Sequence, residues 1–214
     1  MTKALVTGAS SGIGEAIYQH FKQRGINTIG VSRRGPDMIV DVRDGYKPLF
    51  KLIGGTRDID ILVLNAGIMR FDEQEHWSHI YYTNFHCNWE ILLHARELVT
   101  QGGCIILNAS SCGVLGDAEV PYYAAQKAAL INLTKSFAKI LLPERIRVNC
   151  FSCGFFQTNL CEGPTPQELI NTIPMKREAH PSEILPIIDA LVYCTYITGQ
   201  NIIVDGGLSL GTGA

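Results

Sequence analysis

What the 214 residues lack narrows the problem first. No apolar run approaches the roughly 18–20 residues that a bilayer-crossing helix needs, so no membrane partner is expected. Neither sign of charge dominates: 18 Lys and Arg stand against 20 Asp and Glu, a formal net charge of -2. That removes the usual footing for a nucleic-acid or anionic-membrane partner. No low-complexity tract, internal repeat or long linker interrupts the chain, and a hydrophobic content of 46% excludes intrinsic disorder. No Gly-Lys-Ser/Thr follows a glycine-rich turn, which excludes a nucleotide-triphosphate P-loop. The N-terminal Met1-Thr2-Lys3 enters a strand-like run almost at once, so no secretory or transit leader is expected.

Cysteine is not scarce. Seven lie at 87, 104, 112, 150, 153, 161 and 194, mostly inside apolar segments. An odd count in a chain of this length does not fit a secreted disulfide framework, and a reduced, cytoplasmic compartment fits better. Cys150 and Cys153 form a CxxC, but a redox or zinc reading needs a helix N-terminus or a second ligand pair nearby, and neither is present. They read as buried thiols acting as small hydrophobes, and no metal is expected.

Short apolar runs alternate with longer amphipathic ones. The strand-like runs are Ala4–Thr7, Thr28–Val31, Met38–Val40, Ile61–Leu64, Cys104–Asn108, Arg147–Phe151 and Asn201–Val204. They are apolar on both faces, as a parallel sheet covered by helices requires. Helical stretches are expected over Ile13–Arg24, 45–53, Trp77–Val99, Tyr122–Leu142, Pro166–Thr172 and Pro181–Tyr193. The alternation predicts an α/β fold, a Rossmann-type doubly wound parallel sheet of about seven strands in a single domain over 1–214. One connection stands out. Only six residues, Ser32 to Asp37, separate the second and third strand-like runs. A parallel crossover usually takes a dozen or more, so either a helix is absent or these runs sit differently in the sheet.

The first strand runs into Thr7-Gly8-Ala9-Ser10-Ser11-Gly12-Ile13-Gly14, and a helix follows. Gly8 permits a tight turn, Gly12 lets backbone approach a pyrophosphate, and Gly14 lets the helix pack close to the sheet. The helix N-terminus then offers free N–H groups to the anion. Further on, Tyr123 and Lys127 stand four apart on an expected helix and share one face. A free tyrosine, with a pKa of about 10, is a poor proton donor near neutrality. A neighbouring ammonium brings it toward working pH.

The wording Thr-Gly-Ala-Ser-Ser-Gly-Ile-Gly resembles the short-chain dehydrogenase/reductase family. The resemblance continues at Asp41-Val42, Asn65-Ala66-Gly67, Asn84, Asn108-Ala109-Ser110-Ser111, Tyr123-x-x-x-Lys127, Arg147-Val148-Asn149 and Val204-Asp205-Gly206-Gly207, covering nearly the whole chain. It implies a nicotinamide-dependent oxidoreductase acting on a carbonyl or alcohol. Tyr123 would be the general acid/base, Lys127 would also hold the cofactor ribose, and Asn84 would hold a water that links Lys127 to solvent. For the serine, the family's wording favours Ser111, whereas spacing favours Ser110, 13 residues before Tyr123 and three before Gly113. Ser110 is taken here as the serine that binds the substrate oxygen, with Ser111 the alternative.

The cofactor contacts implied by the resemblance are Gly8, Ser10, Ser11, Gly12, Ile13 and Gly14 in the turn, Asp41 and Val42 near adenine, and Asn65, Ala66 and Gly67 beside the adenosine ribose. Gly154, Phe156 and Thr158 would hold the carboxamide, although Cys153 stands where the family's pattern has proline. The second strand ends Val31-Ser32-Arg33-Arg34, without the acidic residue that NAD enzymes place there. Guanidinium groups suit a 2'-phosphate, so NADP(H) is expected in preference to NAD(H), bound by Ser32, Arg33 and Arg34.

A short substrate lid is expected over about 159–174, with Leu160, Cys161, Leu169 and Ile170 as its apolar residues. Ile68, Met69, Val114, Leu115, Val120 and Phe155 would add an apolar wall, which favours a mostly apolar small molecule. Two alternatives stand beside this reading: a 3-oxoacyl-[acyl-carrier-protein] reductase, with Lys176 and Arg177 docking the acidic carrier, and a non-catalytic NADP-binding sensor or scaffold. Apolar residues beyond one face of the two longest helices (Leu130, Ile131, Leu133, Phe137, Ile140 and Leu141), with the way the family packs these helices, imply a homodimer or homotetramer. The chain is shorter than the family commonly runs. The shortfall falls at the second-to-third strand connection, at the lid and before the last strand.

Overall fold

The computed structural model describes residues 2–44, 46–52, 54–160 and 165–210. Its centre is a seven-stranded sheet in the order β3-β2-β1-β4-β5-β6-β7, parallel throughout. The strands are β1 (Lys3–Thr7), β2 (Asn27–Ser32), β3 (Met38–Ile39), β4 (Ile59–Leu64), β5 (Val99–Ser110), β6 (Arg147–Cys153) and β7 (Asn201–Val204). Around it lie α1 (Gly12–Gln23), α2 (Tyr46–Leu52), α3 (Glu73–Tyr81), α4 (Cys87–Leu93), α5 (Ala95–Leu98), α6 (Cys112–Leu115), α7 (Pro121–Leu141), α8 (Gln167–Thr172) and α9 (Leu185–Tyr193).

Side chains alternate across a strand, so the continuous apolar runs feed two cores. Leu62, Leu64, Ile105 and Leu107 pack with Ile91 of α4 and Leu130 and Phe137 of α7. Their neighbours Ile61, Val63, Cys104 and Ile106 pack with Ile17 and Phe21 of α1 and Ile188 of α9. Cys150 and Cys153 are three apart on β6 and so fall into opposite cores. Both are free, and burial pushes the Cys150 thiol up to about 11 and the Cys153 thiol up to about 12. The reading of the CxxC as inert buried thiols agrees with this placement; Cys161 lies outside the described residues.

No helix joins β2 to β3. Val31 pairs with Met38 and Ser32 with Ile39, so β3 aligns only with the last two residues of β2. The chain climbs back by about two residues' rise, roughly 7 Å, which a short loop can do. Gly30 makes room for that loop: a Cβ there would lie 2.6 Å from Pro36 Cγ and 2.9 Å from the Tyr18 ring. Asp37 ties it down, accepting from Gly30 N at 2.8 Å and from the Tyr18 hydroxyl at 2.9 Å.

Several boundaries differ from the sequence pattern. The helix expected over Trp77–Val99 is broken into α3, a wide π turn over Tyr82–His86, α4 and α5. Strand β5 starts at Val99 rather than Cys104, because Val99 pairs with Ile59 across an irregularity in β4. The helix expected over Pro181–Tyr193 begins as a 3-10 turn, Pro181–Ile184, before α9. The ends of the helix expected at 45–53, Gly45 and Ile53, lie outside the described residues, as do 161–164 of the expected lid.

Candidate active site

The strand order reverses between β1 and β4, which leaves a crevice beyond their carboxyl ends where ligands of such sheets bind. The residues singled out in the sequence gather at these strand ends. Gly8 and Gly12 have φ of 69° and 57°, in the left-handed region that favours glycine. A Cβ on Gly14 would lie 2.2 Å from Gly8 O and 2.3 Å from Asn65 Nδ2, so the start of α1 presses directly on the turn and on the end of β4. Ser11 makes no side-chain cap, so the first N–H groups of α1 are not capped by it. Ser10 and Ser11 are exposed beside them, while Ile13 is buried in the core under α1. This uncapped helix end behind a glycine turn fits the diphosphate of a dinucleotide.

Asn65 joins the neighbouring strand ends. Its Nδ2 donates to Thr7 O at 3.1 Å, and its Oδ1 accepts from Asn108 Nδ2 at 2.8 Å. The Thr7 hydroxyl accepts from Asn65 N and Ala66 N, at 2.9 and 3.1 Å. Gly67 sits between Asn84 and Lys127: a Cβ there would be 3.4 Å from Asn84 Oδ1 and 3.5 Å from Lys127 Nζ. The Asn84 side chain clamps Ile68 through both backbone groups, at 2.8 Å each, and its own carbonyl accepts from Asn88 Nδ2 at 2.7 Å. Asn84 lies in the π turn, fully buried, and such turns are frequent at functional sites.

Tyr123 and Lys127 share a face of α7, both buried. The Lys127 Nζ lies 5.5 Å from the centre of the Tyr123 ring and donates to Asn108 O at 2.8 Å. Burial pulls the Lys127 pKa down to about 8, which still leaves an ammonium at neutral pH. Ser110 ends β5, and its hydroxyl accepts from Cys112 N at 3.2 Å; the Ser111 N–H donates to Cys153 O at 2.8 Å. Gly113 brings this serine turn against the helix: a Cβ there would meet Lys127 C and Ala128 N at 2.6 Å.

The remaining expected contacts lie on the rim. Thr158 abuts the glycine turn, its Cγ2 3.0 Å from where a Gly12 Cβ would stand. Gly154 packs on Asp205, with 2.7 Å between a Cβ there and Asp205 Cα, and Phe156 is buried and bridges to Ala179. Ser32 is inside its loop, where its hydroxyl donates to Gly35 O. Arg33 and Arg34 are exposed beyond it, and neither forms an ion pair among the described residues. Val42 is buried, and the Asp41 carboxylate is held by Arg43, whose guanidinium keeps it below the usual range. Of the apolar wall, Val114 and Leu115 are exposed, but Val120 is buried at the start of α7.

The sequence pattern missed Glu73. Its carboxylate accepts from Tyr122 N at 2.9 Å and from Tyr123 N at 2.7 Å, across about 50 residues of chain. Nothing local marks it, because it caps a helix other than its own.

The family described as enoyl-(acyl carrier protein) reductase matches residues 40–209. The 3-oxoacyl-[acyl-carrier-protein] reductase FabG of Vibrio cholerae is 32% identical, over 96% of this chain and 96% of that protein. Carbonyl reductase family member 4 of Danio rerio is 31% identical, over 97% and 98%. A crystal structure of a putative 2-deoxy-d-gluconate 3-dehydrogenase from Agrobacterium tumefaciens with bound NADP superposes with a TM-score of 0.81 at 28% identity, over 97% of this chain and 96% of that one. This chain belongs to the short-chain dehydrogenase/reductase family. As a short-chain dehydrogenase/reductase it is an oxidoreductase that uses a nicotinamide cofactor and acts on CH–OH or carbonyl groups. In this short-chain dehydrogenase/reductase the sheet has seven strands, with a short loop between β2 and β3.

Proposed function

We propose that the chain is an NADP(H)-preferring reductase of ketones or aldehydes on a mostly apolar small molecule, working reversibly on the alcohol. The observation that carries this is the buried Lys127 ammonium beside the Tyr123 ring, anchored to the end of β5 through Asn108 O. The cofactor, when bound, supplies or accepts the hydride. Tyr123 gives its phenolic proton to the substrate oxygen, and the Lys127 charge stabilises the phenolate left behind. The Ser110 hydroxyl, which accepts from Cys112 N at 3.2 Å, turns to the same oxygen and supports the charge that develops on it. Asn84 holds the Gly67–Ile68 backbone beside Lys127 and lines the route by which its proton is replaced.

The preference for NADP(H) is supported by Arg33 and Arg34, exposed at the end of β2 with no carboxylate paired to them among the described residues. A solved relative carries NADP, while the structure titled 4-hydroxyisoleucine dehydrogenase, with a TM-score of 0.86 at 25% identity, is a complex with NADH. Fluorescence titration with both cofactors decides: NADPH is expected to bind at least about tenfold tighter, and tighter NADH binding would refute the reading of the two arginines.

A second reading, 3-oxoacyl-[acyl-carrier-protein] reductase, is favoured by the FabG relatives. It needs a basic docking patch. Lys176 donates to Asn171 O, and Arg177 is paired with Glu183, whose carboxyl it drives down to about 2. That leaves the patch thin, so the small-molecule reading stands first. We place the enzyme in the cytoplasm, as one domain and as a homodimer or homotetramer. Trp89, Leu93, Ile140 and Leu142 are exposed on α4 and around the end of α7, beside an apolar groove of about 340 Å³. Such a face suits a second copy of the chain.

A further inference from the structure

We propose that Glu73 is a positioning residue for the reaction, holding the first turn of α7, and with it Tyr123, against the segment that follows Gly67. The inference rests on the reading of Tyr123 as proton donor.

Helix α7 has 21 residues but no side-chain cap of its own. Its N-cap is Val120, which carries no acceptor, and its first residue is Pro121, which has no N–H. The first intrahelical bond is Ala124 N to Val120 O at 3.0 Å, so the donors left over in the first turn are the N–H groups of Tyr122 and Tyr123. Both go to one carboxylate from another helix: Glu73 Oε2 accepts the first at 2.9 Å and Oε1 the second at 2.7 Å. Just upstream, Asp117 is used by the preceding turn, accepting from Glu119 N and Val120 N, and Glu119 is exposed. Glu73 is only 9% exposed, and its charge faces the positive end of the helix dipole.

Tyr123 receives the shorter of the two bonds. Helical side chains lean toward the N-terminus, so its phenol lies over the turn that Glu73 holds. Glu73 also opens α3, directly after residues 68–72, and Asn84 grips that segment at Ile68. The carboxylate therefore fixes the phenol relative to the backbone that borders the substrate. Lys127 is anchored separately through Asn108 O, so the cofactor side does not depend on Glu73. Loss of Glu73 should lower kcat and leave cofactor affinity alone, because a displacement of about 1 Å costs about 100-fold in rate.

The test is Glu73→Gln, of equal size but with one acceptor oxygen in place of two. Single-turnover rates are taken per mole of bound NADPH, so that a partly unfolded preparation still yields a rate, and Tyr123→Phe is run alongside. The expected result is a rate lower by about 10- to 100-fold, with the NADPH Kd within about twofold of wild type and faster hydrogen exchange at the Tyr122 and Tyr123 amides. A rate within about fivefold of wild type overturns the proposal, and so does a Kd that weakens in step with the rate. Wild-type turnover by Tyr123→Phe would overturn the proton-donor reading and Glu73 with it. An inactive Tyr123→Phe beside a fully active Glu73→Gln would overturn Glu73 alone.

Discussion

Lys127 Nζ donates to the backbone carbonyl of Asn108 at 2.8 Å, so the charge beside Tyr123 is fixed to the sheet rather than left to a mobile side chain. Asn108 in turn donates to Asn65, which donates to Thr7 O. One chain of hydrogen bonds thus runs from the ammonium on α7 through the ends of β5 and β4 to the glycine turn. The glycine turn and the Tyr123–Lys127 pair are held in one frame.

The buried ammonium leaves a mark on stability. The folded Lys127 loses its proton near pH 8, whereas the unfolded chain keeps it into the ordinary lysine range. Between those limits the unfolded state binds more protons, so this group makes wild-type stability rise with pH there. The stability of wild type minus that of Lys127→Met should increase by about 2–3 kcal/mol between pH 7 and pH 10. Urea unfolding at the two pH values measures it; a difference that stays flat would contradict the burial of the charge.

Gly14→Ala should be severe. The added methyl would stand 2.2 Å from Gly8 O, which is backbone, and 2.3 Å from Asn65 Nδ2, a side-chain end tied to Thr7 O. A loss of about 1–3 kcal/mol in thermal or urea unfolding is expected, together with loss of cofactor binding. Gly25→Ala is the control: unlike Gly14 it has a positive φ, 72°, but nothing within 4 Å, and it should cost about 1 kcal/mol and leave binding intact.

Replacing Arg33 and Arg34 together by Ala should weaken NADPH binding by about 10- to 100-fold, the loss of charged hydrogen bonds to a phosphate, and leave NADH nearly unchanged. Paired titrations check it. Equal weakening of both cofactors would mean that the arginines do not read the 2'-phosphate.

Gln126 is 95% buried by its 5% exposure, and among the described residues both of its amide atoms lack a hydrogen-bond partner. An unpaired buried polar group costs stability that an apolar one of equal shape does not. Gln126→Met should raise stability by about 1 kcal/mol in thermal unfolding. A loss of stability would show that the amide is satisfied in solution.

The sheet was legible because buried parallel strands read as continuous apolar runs, and the glycine turn because its residues answer to backbone geometry that no other type meets. Tyr123 and Lys127 were legible because their partnership is local, four residues along one helix. The π turn at Tyr82–His86 was not: it inserts one residue into a helix and leaves the apolar pattern almost unbroken. Glu73 was invisible for a different reason. Its partners lie 49 and 50 residues away, and a carboxylate at the start of a helix looks the same whether it serves that helix or another. Ser32 shows the converse. Its position at the end of β2 suggests a cofactor contact, and nothing local announces that its hydroxyl also donates to Gly35 O in the short β2–β3 loop.

The central claim is that Tyr123, tuned by Lys127, moves the proton that accompanies hydride transfer. Tyr123→Phe removes only the hydroxyl, so the measurement is its turnover on an accepted carbonyl with bound NADPH confirmed by fluorescence. The account predicts NADPH affinity within about twofold of wild type and a kcat lower by at least about 100-fold, the scale of lost acid catalysis. Wild-type turnover by Tyr123→Phe on every accepted substrate would contradict it.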